Sequence, residues 1–257
     1  MKNLIILLVL SMASANIYAQ AQIQFQSAYH GKVESIIQNT YPAYIDHNEI
    51  KGNKNAISGR SGFAYIFDKK GIKQNQVFND GETQFPVDFK YKYDGKRIVA
   101  QEYYINKPST HLWKTAYFKY DKKNIIEITS ISAKGDTMER TRFRYDKKLL
   151  VDENYCNYKD TTEQYLSEYI YTDGLNKPSK IKYYVLTKGK KRLGSVSTSG
   201  YNKHMDEKAS ETYSADGTLI AITTYKYVYD DQGNWTRRET YVGGEIQDLT
   251  EAKYKYY

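Results

Sequence analysis

The sequence predicts an all-β protein, a repetitive antiparallel β-meander of about seven two-stranded repeats of about 26 residues, curling into an arc or partial barrel. Three observations predict it. The 257 residues hold 28 Tyr but only 13 Leu, four of them within the first ten positions. Helical cores are built from apolar stripes rich in Leu, whereas aromatic rings suit a half-buried pleated surface. An aromatic-Asp dyad recurs at Phe67-Asp68, Tyr93-Asp94, Tyr120-Asp121, Tyr145-Asp146 and Tyr229-Asp230, with degenerate copies at Tyr171-Thr172-Asp173 and Tyr201-Asn202. Successive aromatics are 26, 27, 25, 26, 30 and 28 residues apart, and the chain ends 27 residues further on, at Tyr256-Tyr257. Finally, the residues leading into each dyad alternate, as in Phe89-Lys90-Tyr91-Lys92-Tyr93 and Tyr225-Lys226-Tyr227-Val228-Tyr229. A period of two sets aromatics on one face and mostly cations on the other.

Each element of a repeat follows from local chemistry. The dyad Asp opens a turn, because its carboxylate can accept a backbone N–H two residues on. Gly71, Gly95, Asn124 or Gly233 follows, where a left-handed conformation is accessible. A second strand runs outward, for example residues 98–104 or 235–241, and a second turn returns the chain at Asn79-Asp80-Gly81, Lys134-Gly135-Asp136, Ala215-Asp216-Gly217 or Gly243-Gly244. Seven such units give about 14 strands, more than an open twisted sheet usually holds without curling. The aromatic face is expected on the concave side.

The chain divides into residues 1–21, 22–60 and 61–257. Lys2, the apolar run 4–10 and the Ala-x-Ala patterns at 13–15 and 19–21 read as a signal peptide cleaved after Ala19 or Ala21. The run is far short of the about 20 residues a helical span needs, and no later segment supplies one. Residues 22–60 lack the dyad and read as an N-terminal cap, with a short helix over 33–37 and a loop over 48–61. The single cysteine, Cys156, excludes an intrachain disulfide, and the absence of a cysteine near the cleavage region argues against a lipid anchor. Export to the periplasm, cell surface or medium is expected.

The Tyr-Asp-x-x-Gly turn between alternating strands resembles the YD repeats of Rhs-like proteins. Its best copy is Tyr227-Val228-Tyr229-Asp230-Asp231-Gln232-Gly233-Asn234-Trp235, and stretches of this kind are typical of small secreted repeat proteins of Gram-negative gut bacteria. The resemblance runs from residue 63 to the C-terminus and implies a strand-turn-strand build. The period is longer than in large Rhs proteins, seven copies are too few for a closed shell, and no toxin domain follows, so encapsulation is not expected.

The residues offer little to an enzyme, and none is expected. Gly194-Ser195-Val196-Ser197 is not a nucleophile elbow. His30, His47, His111 and His204 are scattered, so no metal or other cofactor is expected. Asp230-Asp231-Gln232-Gly233-Asn234 lacks the downstream Glu of a calcium loop. Two features suit binding. Tyr91, Tyr93, Tyr225, Tyr227 and Tyr229 share one phase of the alternation and offer flat rings with hydroxyls to a glycan; the same rings could equally form a cross-strand ladder. Lys69, Lys70, Lys122, Lys123, Lys147 and Lys148 occupy one class of turn and form a basic rim, which with a net charge of +8 suits an anionic envelope polymer; solubility and protection against sheet aggregation explain the same row. The expectation is a non-enzymatic secreted module that binds a glycan or envelope component. The alternative is a structural or adhesive module with an envelope protein as partner. Nucleic acid and a membrane span are not expected.

Overall fold

The computed structural model describes residues 29–55, 61–79, 84–95, 97–105, 110–158, 163–172 and 174–257. These contain no helix. The strands are β1 (Val33–Asp46), β2 (Glu49–Gly52), β3 (Ser61–Phe67), β4 (Lys73–Asn79), β5 (Gln84–Asp94), β6 (Arg97–Ile105), β7 (His111–Asp121), β8 (Asn124–Ser132), β9 (Thr137–Asp146), β10 (Leu149–Asn157), β11 (Glu163–Ile170), β12 (Lys180–Thr187), β13 (Lys190–Tyr201), β14 (Glu207–Ser214), β15 (Leu219–Tyr229), β16 (Trp235–Val242) and β17 (Glu245–Tyr256). From β3 to β17 each strand pairs antiparallel with the next, as the repeat predicts.

The sheet does not stop at an arc. β1 pairs with β3 on one side and β17 on the other, so that Ile36 lies opposite both Tyr65 and Tyr254, and sixteen strands close a barrel. The expected helix at residues 33–37 is instead the start of a 14-residue strand. An open arc would leave two rows of unpaired N–H and C=O groups, and this strand satisfies both. Residues 49–52, expected in a loop, form β2, which pairs with the end of β1. The β1–β2 hairpin covers part of the outer face: Arg237 donates to the Ile50 carbonyl at 3.0 Å, and Tyr41 and Leu249 are buried.

The segments before β1 and at the end of β17 meet at the rim that carries the dyad turns. Asn234, nearly inaccessible, accepts a bond from the His30 N–H and donates to the His30 carbonyl and the Tyr256 hydroxyl, each at 2.8 Å. At the β1–β3 seam a Cβ on Gly62 would come within 2.8 Å of the Gln38 carbonyl oxygen, so glycine is what permits the approach.

The dyad turns are of two kinds. At Asp68, Asn202 and Asp230 the side chain accepts two backbone N–H groups, two and four residues on, at 2.8–3.0 Å. At Asp94, Asp121 and Asp146 the strands instead pair across two central residues, Asp94 with Arg97, Asp121 with Asn124 and Asp146 with Leu149. The first of those central residues has positive φ, 58° at Gly95, 53° at Lys122 and 56° at Lys147. The uniform Asx-turn expectation therefore holds for only part of the array.

Inward and outward faces differ sharply. One phase of the alternation carries the cluster of Val87, Phe89, Tyr103, Ala116, Phe118, Ile125, Phe143 and Leu150, and a second of Val33, Ile36, Tyr65 and Phe67. The opposite phase carries cross-strand ion pairs, among them Lys92–Glu102 at 2.7 Å and Arg142–Glu127 at 2.9 Å.

Candidate functional site: the open half of the barrel interior

Sixteen strands make a ring too wide for side chains to fill, and the two halves of the inner wall treat that space differently. The buried apolar residues lie on β1, β3, β5–β10 and β17, and among the described residues none lies on β11–β16. Registers put Ser197 opposite Thr212, Ser199 opposite Ser210, Ser210 opposite Thr223, Tyr225 opposite Thr240 and Tyr227 opposite Arg238 on one face. These positions are half-buried. Small hydroxyl side chains fill less of the interior than rings do, so this half of the wall carries rings, hydroxyls and one guanidinium at half-buried positions, with Ser167 and Ser195 fully buried among them.

The repeat tyrosines have a specific structural use. Just after most dyad turns the outgoing strand carries a β-bulge, which takes one residue out of the ladder. A tyrosine of the following repeat donates its hydroxyl to the carbonyl beside that bulge. Tyr91 bonds the Lys73 carbonyl, Tyr120 that of Ile98 at 2.8 Å, Tyr171 that of Leu150 at 2.9 Å, Tyr227 that of Glu207 at 2.8 Å and Tyr254 that of Trp235 at 3.0 Å. A dyad tyrosine also caps the preceding turn: Tyr229 donates to Asp206 at 2.8 Å and accepts from Asn202, and Tyr256 does the same with Asp230 and Asn234.

The five tyrosines read from the sequence as a binding face thus separate. All five point inward, but Tyr91 and Tyr93 lie on β5 and the other three on β15. Tyr91, Tyr227 and Tyr229 have hydroxyls committed to the neighbouring repeat. Tyr93 is half exposed. The Tyr225 ring faces Arg238, whose guanidinium carbon is 5.6 Å from its centroid and 5.5 Å from that of Trp235. Arg238 also donates to Thr250 Oγ1 at 3.4 Å, and its buried Nε has no hydrogen-bond partner.

Two carboxyls share this wall. Burial pushes both Glu207 and Asp248 up from the usual carboxylate range, and the Arg238 charge opposes that rise. On the packed half, burial pushes Glu153 up to about 7 despite the 2.8 Å bond it accepts from Tyr169. It also pushes the Lys73 amine down to about 7, although that amine lies 4.6 Å from the Phe89 centroid and donates to Gln76 at 3.0 Å. Among the described residues no group of three metal-ligating side chains converges.

Lys69, Lys70, Lys122, Lys123, Lys147 and Lys148 are exposed at one rim, as alternation of the turns requires. The paired lysines end there: the later turns of that rim carry single lysines, Lys177 and Lys203, beside Asp206, Asp230 and Asp231. On the opposite rim a recess of about 570 Å³ is lined by His111, Trp113, Lys134, Met138 and Tyr158 among others. Arg238, Glu207 and this recess are not apparent from sequence. After the bulge between Val228 and Tyr229, Tyr227 pairs with Arg238 while Tyr229 pairs with Trp235. Simple alternation from Trp235 would therefore have pointed Arg237 inward in place of Arg238.

Neither a protein-family model nor a curated protein matches the chain. Among solved structures, a porin-like protein from Bacteroides uniformis ATCC 8492 superposes with a TM-score of 0.50 at 12% identity, covering 87% of this chain and 96% of that one. A porin-like protein from Bacteroides vulgatus ATCC 8482 gives the same score and identity, over 87% and 98%. The likeness is one of fold. The TcdB2-TccC3 structure is similar at a TM-score of 0.29 and 14% identity, with 84% of this chain but 14% of that one covered, too weak to bear on the resemblance to YD repeats.

Proposed function

We propose that the protein is a non-enzymatic, exported binding module that takes a glycan or another envelope component against the inner wall of β13–β16. The observation that supports this reading is the division of the interior: buried apolar side chains line one half, and among the described residues none lies on β11–β16, where Ser, Thr, Tyr225 and Arg238 make the wall. In this reading the barrel stands in the aqueous phase. A bilayer-embedded barrel presents an apolar band outward, and Arg or Lys in its middle costs about 2–4 kcal/mol. Here Arg142 and Arg144 point outward opposite Glu127 and Asp152, with both arginine side chains more than 60% exposed.

The test is a glycan array probed with the exported protein and with Thr223→Tyr, which extends the Tyr row across the open wall. Glycan binding that Thr223→Tyr abolishes without lowering the melting temperature supports the proposal. Overfilling a packed core costs about 1–3 kcal/mol, so a destabilised Thr223→Tyr would show that the wall is not open. An array without a single bound glycan would favour the second reading, a structural or adhesive module, which the commitment of Tyr hydroxyls to bulge carbonyls supports.

A further inference from the structure

Arg238 is a cation on the inner wall without a counter-ion in contact. No carboxylate lies within ion-pair distance of it among the described residues. Its neighbours are the faces of Tyr225 and Trp235, a long 3.4 Å bond to Thr250, and nothing at Nε. Its sequence neighbour Arg237, on the outer face, likewise has an unpartnered Nε, but its terminal nitrogen reaches Glu239 at 3.0 Å and the Ile50 carbonyl at 3.0 Å. Burying a guanidinium N–H, as at this Arg238 Nε, is costly unless the group is paired and the N–H bonded. It presents a planar fork of donors that matches a carboxylate in two parallel bonds. Rings on either side orient that fork and leave its edge as the polar face of the wall. Glu207 and Asp248 sense the Arg238 charge without an ion pair to it; burial shifts both carboxyls upward and the Arg238 charge opposes that shift.

We propose that Arg238 is a carboxylate-recognition residue, selecting saccharides that bear a uronic acid, with Tyr225 and Trp235 holding the guanidinium and the hydroxyls of Ser210, Thr223 and Thr240 flanking the sugar. This assignment rests on the reading of the inner wall as a glycan site. It differs from recognition by the basic rim, which would grip any polyanion through exposed lysines and weaken steeply with salt.

The experiment is calorimetric titration of the exported protein with oligogalacturonide and with a neutral galactose oligomer of equal length. It is run on wild type, Arg238→Lys, Arg238→Gln and a rim variant with Lys69, Lys122 and Lys147 changed to Gln. Melting curves confirm folding of each. The expected result is at least tenfold preference for the acidic oligomer. Arg238→Gln should lose about 10–100-fold, the size of a charge-assisted hydrogen-bond pair, Arg238→Lys should lose part of that, and the rim variant should stay within about twofold of wild type. If Arg238→Gln does not fold, Arg238→Lys carries the test, because a point charge without the fork should still weaken binding severalfold. Equal binding of the two oligomers, unchanged in the Arg238 variants, would overturn the carboxylate assignment while leaving a glycan site. Loss in the rim variant alone would move acid recognition to the lysines. Binding of neither oligomer, together with an empty array, would overturn the glycan reading itself.

Discussion

Asn234→Ala should loosen the barrel where its ends meet. Asn234 is 3% exposed and makes three bonds of 2.8 Å, two of them to the backbone of His30 and one to Tyr256. Each is worth about 0.5–1.5 kcal/mol net, and a buried backbone group left without a partner costs about 1–3 kcal/mol. Together these put the loss at about 2–4 kcal/mol, a large fraction of the 5–15 kcal/mol typical of a folded domain. For a chain of this size 1 kcal/mol shifts the midpoint by about 2–4 °C, so the expected drop is about 4–16 °C. Circular dichroism gives the midpoint, and fluorescence of the adjacent Trp235 reports the seam. Asn234→Asp keeps an acceptor for the His30 N–H but loses the donor, and should fall between wild type and alanine. Hydrogen exchange should rise in β1 and β17 and stay unchanged in β7–β9. An unaltered midpoint for Asn234→Ala would refute the assignment of the seam to this side chain.

Two further outcomes test the interior and the turns. The Glu153 carboxyl is pushed up to about 7 by burial, so the folded state holds its proton more tightly than the unfolded chain. The stability this contributes is full below about pH 4.5 and is lost as pH rises to about 7, on the order of 3 kcal/mol. The advantage of Glu153→Gln over wild type in urea unfolding should therefore grow between pH 4 and pH 8, and a pH-independent difference would contradict it. Lys147 has a φ of 56°, a conformation that costs a side-chain-bearing residue about 1 kcal/mol. Lys147→Gly should gain up to about 0.5 kcal/mol once the entropy of the unfolded glycine, about 0.5–1 kcal/mol, is subtracted. Lys148→Gly, at a position without positive φ, should lose about 0.5–1 kcal/mol, and equal urea midpoints for the two variants would refute the strain argument.

Much of the strand pattern was legible because its signals are local. The dyads mark turns, and alternation marks the strands between them, so β5, β7, β9 and β15 follow directly from residues such as Phe89-Lys90-Tyr91-Lys92-Tyr93. Closure was not legible. Val33–Asp46 lacks the dyad and pairs with partners up to more than 200 residues away, and no local propensity reports such a contact. The face on which Arg238 sits was hidden for a related reason. A bulge reverses the parity of alternation, and it occurs where the backbone leaves a turn, a feature set by the neighbouring strand rather than by the residues that bulge.

The bulges also explain why the repeats use tyrosine where phenylalanine would bury as much ring. A ladder with one bulge per repeat has a recurrent carbonyl in need of a donor, and a hydroxyl on the next repeat's ring meets it at a fixed distance along the chain. The requirement constrains the period: the hydroxyl comes from 18–22 residues further on, one hairpin away. It also separates structure from recognition within a single residue type. Tyr91 and Tyr227 are held by the array and are poor candidates for ligand selectivity, because their polar atoms are already used. Tyr225, whose hydroxyl bonds Ser210 and Glu207 within the wall, and Arg238 lie on the stretch where small hydroxyl residues stand in place of buried apolar side chains. Local departures from an otherwise consistent pattern tend to mark function, and here the departure is the half of the interior without buried apolar side chains. A site on β13–β16 is therefore marked less by the tyrosines that the repeat supplies than by the apolar side chains it omits.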